Sequence, residues 1–173
     1  MLNSGVVESE EQQWIVPTPQ MRSIDSINPM DEAFEEALKN GVTTACTGPG
    51  SANIIGGTFG AFKTAGKRAD EMVVKHPIAM KCAFGFNPKN AYGGKSKAPY
   101  TRMGTASIFR DFLKKCKQYL EDKESGKSVV YNSKMEAMIP VLKKEIPLKA
   151  HAHRTDDIFT AIRIAKEFDL RMT

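Results

Sequence analysis

The spacing of apolar residues divides this chain into helices and short strands. After Asn28-Pro29, the residues Ala33, Phe34, Ala37 and Leu38 recur at helical spacing until Asn40-Gly41. Asparagine serves as N-cap, proline suits the first helical position and glycine ends the run, so a helix is predicted there. Val42-Thr43-Thr44-Ala45-Cys46-Thr47 is short, β-branched and bounded by glycine, the pattern of a buried strand. Ile78-Ala79-Met80-Lys81-Cys82-Ala83-Phe84-Gly85 reads as a second buried strand, interrupted by one lysine. A long helix follows, capped by Thr105, with Ile108, Phe109, Phe112, Leu113, Cys116 and Leu120 on one face and Gly126 at its close. Beyond a weak extended piece at Val129-Val130-Tyr131, another helix carries Met135, Met138, Ile139, Val141 and Leu142, with Pro140 as a kink. Its methionines read as core. A short strand from Ile146 then leads into a helical pattern from Thr155 to Phe168.

The order of elements is helix, strand, helix, strand, helix, helix, strand, helix, which predicts an α/β fold with a mostly parallel sheet and its functional groups at one end. Residues 1–27 lack periodicity, contain Pro17 and Pro19, and read as an irregular arm with one extended piece at Trp14-Ile15-Val16; residues 28–173 form the folded part.

With 173 residues and 41% hydrophobic content, the chain has the length of one ordinary domain, or of a part of something larger. Three cysteines without CxxC spacing argue against a disulfide framework and for a reducing compartment, so cytoplasm is the expectation. No signal peptide order opens the chain, and no uncharged apolar stretch reaches membrane-spanning length. The net charge of +5 is spread among interleaved acids, as in Lys114-Lys115-Cys116-Lys117-Gln118-Tyr119-Leu120-Glu121-Asp122-Lys123-Glu124. That is a solvated helix face, so neither nucleic acid nor membrane is an expected partner; a small-molecule substrate is, and an anionic one stays open.

Two of the three histidines fall in Lys149-Ala150-His151-Ala152-His153-Arg154, between a strand and a helix. Alternation places Lys149, His151 and, if the strand runs that far, His153 on one side. Imidazoles at a strand exit suit a metal, yet two are too few for a catalytic zinc site, and a structural histidine pair is the competing reading. His76 precedes its strand and reads as a surface histidine. Lys81 either snorkels at a sheet edge or points at a functional centre. The loop Gly48-Pro49-Gly50-Ser51-Ala52-Asn53-Ile54-Ile55-Gly56-Gly57 lacks both dinucleotide and Walker spacing, and reads as a tight active-site loop with glycines at positive φ. Residues 87–102 read as a lid or substrate loop.

Taken together, Gly41-Val42-Thr43-Thr44, Thr47-Gly48-Pro49-Gly50-Ser51-Ala52-Asn53, Met80 to Lys89, Thr101-Arg102-Met103-Gly104 and Lys149 to Arg154 resemble the amidohydrolase superfamily, in particular its imidazolonepropionase-related metal-dependent hydrolases. The resemblance covers nearly all of the chain from Asn28 onward. It implies a partial (β/α)8 barrel of the TIM type, about strands two to five with their helices. It also implies a divalent metal, zinc first with iron or manganese as alternatives, and hydrolysis of a C–N bond in a cyclic amide. His151 matches the strand-five metal ligand, and His153 is similar to a neighbouring histidine that faces substrate or metal. A carboxylated lysine bridges metals in some relatives, and Lys81 is the candidate for it.

The resemblance further implies an internal, truncated piece, without the strand-one His-x-His pair and the late His and Asp ligands. Two readings of different class follow. One is a hydrolase segment inactive by itself; the other is a non-catalytic remnant that persists as an oligomerising partial barrel. In either case uncovered edges predict a homo-oligomer.

Overall fold

The computed structural model describes residues 17–93 and 98–173; the proposed extended piece at Trp14-Ile15-Val16 lies outside them. In chain order come α1 (Glu32–Lys39), β1 (Thr44–Thr47), β2 (Ile55–Lys63), the short α2 (Ala69–Met72), β3 (Val73–Ala83), α3 (Phe86–Gly93), α4 (Arg102–Glu124), α5 (Ser133–Leu142), β4 (Leu148–His151) and α6 (Thr155–Glu167). Helices and strands therefore mix as expected, but the sheet is not mostly parallel. Its order is β1-β2-β3-β4, with β1–β2 and β2–β3 antiparallel and only β3–β4 parallel. This mixed sheet is consistent with part of a barrel.

The difference arises at β2, which occupies the place where the element order called for a helix. Gly56, Gly57 and Gly60 weaken a helix there, and pairing on both sides satisfies the strand's backbone. Register shifts at Ile55/Gly57, Phe59/Ala61 and Ala61/Phe62 break its alternation, so no period of two is visible in the residues. β3 also starts earlier than expected. Pro77, which has no N–H to donate, sits between the paired residues Lys75 and Ala79, where the ladder is irregular.

Helix starts differ by a few residues from the expected caps. Asp31, not Asn28, caps α1, its Oδ1 accepting from Ala33 N at 2.9 Å, while Asn28 turns the chain before it. Thr101, not Thr105, caps α4 by accepting from Gly104 N at 3.0 Å. Each accepts a hydrogen bond from an amide that lacks an intrahelical partner. Part of the expected lid is helical instead, as α3. Val129-Val130-Tyr131 forms no strand.

One face of β2–β4 packs against the helices. Ile55, Met80, Cys82 and Leu148 meet Phe109, Leu113 and Cys116 of α4, Met138 and Val141 of α5, and Ile164 of α6, all fully buried. Of the α5 methionines read as core, Met138 is fully buried and Met135 packs against the cluster partly buried. A second cluster, Phe34, Ala45, Phe62 and Met72, joins α1 to the β1–β2 end. Among the described residues no helix is long and apolar enough to cross a membrane.

Candidate functional site

The parallel pair β3–β4 brings the expected residues to one place. Lys81 is paired in register with Lys149, and Ala83 with His151. Because Met80, Cys82 and Leu148 face the helices, the opposite parity sends Lys81, Ala83, Lys149 and His151 to the other face. Just past the last rung, Phe84 N donates to His151 O at 2.8 Å. Both strands thus end together, at the carboxyl end where barrels place their chemistry.

His151 is half-buried and His153, beyond the strand, is exposed. The Nε2 of His151 stands 3.1 Å from the Nδ1 of His153, with ring centroids 4.5 Å apart and planes nearly perpendicular. Burial, then the charge of Lys81, then that of His153 push the His151 pKa below the ordinary histidine value. Neutral imidazole is the form that ligates metal or shares a proton with its neighbour.

Lys81 lies on an interior strand, between β2 and β4, and is buried at 6% exposure, so it does not snorkel at a sheet edge. Its Nζ donates to Cys82 O at 3.4 Å. A Cβ added at Gly56 would stand 3.7 Å from Lys81 Cγ, which places the glycine-rich loop against the lysine stem. Lys149 Nζ lies 5.6 Å from the centre of the Phe59 ring.

The loop glycines serve close approach more than backbone freedom. Gly48 lies under the Phe59 ring, where a Cβ would come within 2.7 Å of Cγ, and within this loop only Gly57 has positive φ, at +121°. Asn53 anchors the loop: its Nδ2 donates to Thr18 Oγ1 at 2.7 Å and its Oδ1 accepts from the hydroxyl of Tyr92 on α3.

His76 is not a surface residue before its strand. It lies within β3, half-buried, with Nε2 2.8 Å from Thr58 Oγ1. Burial, and next the charge of Arg22, lower its pKa. It takes no part in the His151 site.

Two groups at this end escape a reading based on motifs of histidine and glycine. Asp157, 3% exposed, accepts from Arg102 Nε at 2.6 Å, and Arg102 also pairs with Asp156 at 2.6 Å. The signal was an arginine in Thr101-Arg102-Met103-Gly104 and paired aspartates after the histidines. Nothing in the residues says that the two meet.

As a metal site the donor set is right in kind and short in number. His151 and His153 supply imidazole nitrogens, yet among the described residues no group of three or more His, Cys, Asp or Glu side chains converges. A catalytic zinc takes three protein ligands.

No family model matches the chain. It is 28% identical over 176 residues to amidohydrolase tasK of Hapsidospora irregularis, an alignment that takes in 88% of this chain and 18% of that protein. It is also similar to the crystal structure of an amidohydrolase from Thermotoga maritima MSB8, with a TM-score of 0.88 and 44% sequence identity over 92% of this chain and 43% of the other. The chain spans less than half the length of either relative. Sequence and fold together support an amidohydrolase-superfamily fragment, corresponding to part of each relative's length.

Proposed function

We propose that this segment contributes one side of the active site of a metal-dependent hydrolase that cleaves the C–N bond of a cyclic amide or related small molecule, in the cytoplasm. The observation that carries the reading is the contact of His151 with His153 at the exit of β4, with buried Lys81 on the neighbouring strand β3, in register with Lys149. The similarity to two amidohydrolases supports the reaction class.

His151 and His153 are the residues that would hold the ion, zinc first, with iron or manganese as alternatives. A divalent ion bound there would supply Lewis-acid chemistry, polarising a substrate carbonyl and lowering the pKa of a bound water. His153, with Nδ1 turned to His151, keeps its other nitrogen for proton exchange with substrate. Lys81, beside them on the interior strand, is the candidate for a bridging or charge-stabilising role. Among the described residues no third donor joins the two histidines, and turnover by the chain itself is expected to be at background.

The test measures hydrolysis of imidazolone propionate, hydantoins and dipeptides. The 173-residue chain should show none, and activity should appear when the upstream His-x-His and downstream His and Asp segments of a barrel are joined to it. A joined protein without activity on any of them would count against the hydrolase reading. Turnover by the chain alone, lost in His151→Ala, would show a complete smaller site.

A second reading, a non-catalytic partial barrel that persists as a homo-oligomer, draws on one feature. An apolar groove of about 620 Å³ runs beside β4, with Ala150, Ile158, Ile162, Ala165, Leu170 and Met172 in its wall. Ile158 and Ile162 are 45% and 39% exposed. Covering such a face by a second copy would bury apolar surface. Light scattering of the chain and of Ile162→Asp separates the cases: a dimer that the substitution dissociates supports assembly through this groove, and a monomer at high concentration opposes it.

A further inference from the structure

We propose that Asp157 and Arg102 are positioning residues for the His151–His153 pair, acting through Gly85; the inference rests on the reading of that pair as functional. Gly85 follows the last residues of β3 and has φ of +76°. A Cβ built on it would stand 2.6 Å from Asp157 Cγ and nearer still to Oδ2, so the carboxylate is seated against the turn that leaves β3. The same turn carries the Phe84 amide that donates to His151 O.

The contacts continue to the second histidine. Asp157 Oδ1 takes Arg102 Nε, the other arm of Arg102 takes Asp156 Oδ2 at 2.6 Å, and Asp156 Oδ1 accepts from Arg154 Nε at 3.1 Å. Arg154 is the next residue after His153. An unbroken series of contacts thus runs from the exit of β3, through the amino ends of α4 and α6, to the backbone beside His153. Among the described residues, Asp157 Oδ2 is buried without a hydrogen-bond partner. A carboxylate oxygen so placed costs stability, and residues of this kind concentrate where geometry is held for function. Groups behind a histidine ligand that fix its ring are worth large factors in site performance.

The experiment reads the imidazole rings of the whole chain by NMR at one fixed pH, using ring nitrogen shifts and the cross-ring NOE between His151 and His153. Asp157→Asn and Arg102→Met should move both sets of ring nitrogen shifts and abolish the NOE, and Arg102→Lys should restore part of it. Arg110→Met removes the Arg110–Glu167 pair, 2.7 Å, which ties the same two helices away from the turn. It should leave the rings unchanged. Rings that superpose on the parent's in both Asp157→Asn and Arg102→Met overturn the proposal, as does an equal change in Arg110→Met. Should Asp157→Asn fail to fold, Arg102→Met and Arg102→Lys decide alone. The readout needs neither metal nor turnover, so failure of the hydrolase reading leaves it intact.

Discussion

His151 presents Nε2 to Nδ1 of His153 at 3.1 Å, so the two rings share a polar contact. An ion entering between them would replace that hydrogen bond with two of the bonds it needs and find no third donor of its usual kinds converging among the described residues. We therefore expect less than one zinc per chain after dialysis, measured by elemental analysis, and weak binding in titration calorimetry that disappears in His151→Ala. Stoichiometric zinc that survives dialysis would show a complete site.

Replacing Gly85 by alanine is expected to be costly for two separable reasons. A left-handed φ costs an alanine about 1–2 kcal/mol, and the new methyl must also displace the buried Asp157 carboxylate from Arg102. Gly126 has the same φ of +76°, but among the described residues nothing lies within 4 Å of its Cβ position, so Gly126→Ala bears only the backbone part. Thermal unfolding should show a loss of about 2–4 °C per kcal/mol, with Gly85→Ala falling well below Gly126→Ala. Equal losses would mean that the carboxylate yields freely.

The three thiols should differ sharply in reactivity. Cys46 is exposed on β1, whereas burial pushes Cys82 and Cys116 up to about 12 each. The thiolate is the nucleophile, so a disulfide reagent should titrate one thiol in the folded chain and all three once it is unfolded. A second fast thiol in the folded chain would contradict the buried positions of Cys82 and Cys116.

Acid should weaken the β2–β3 pair through His76. Its folded pKa lies below the ordinary value of 6.5, so the folded state holds fewer protons than the unfolded one. The stability it allows is complete above about pH 6.5 and is lost as pH falls through the folded pKa. His151 shifts in the same direction, so the parent alone cannot assign the loss. Denaturant midpoints at about pH 7.5 and pH 5 should differ more in the parent than in His76→Gln. Equal pH dependence in the two would remove His76 from the account.

Much of the local structure was legible in the residues. The 3.6-residue repeat of Phe109, Leu113 and Cys116 identified α4, and that of Ala161, Ile164 and Ala165 agrees with α6. Strand alternation alone put Lys149 and His151 on one face of β4, which the packing of Leu148 shows to be the face away from the helices. Side-chain period is a property of a single segment, so it survives in the sequence. Helix starts shifted by three residues in α1 and four in α4 because Asn28 and Thr105 have the same capping chemistry as the actual caps Asp31 and Thr101.

Tertiary structure decided the rest. β2 was hidden because its glycines and bulges erase the alternation, and its antiparallel pairing is a relation between segments that no single segment records. Lys81 was ambiguous until β3 proved to be an interior strand, since edge and interior strands can read alike. Arg102 and Asp157 are 55 residues apart, and their contact exists only because α4 and α6 begin at the same end of the sheet. Composition and periodicity determine which face of an element is apolar; which elements then meet depends on long-range packing, where the free energy of burial is summed over the whole core.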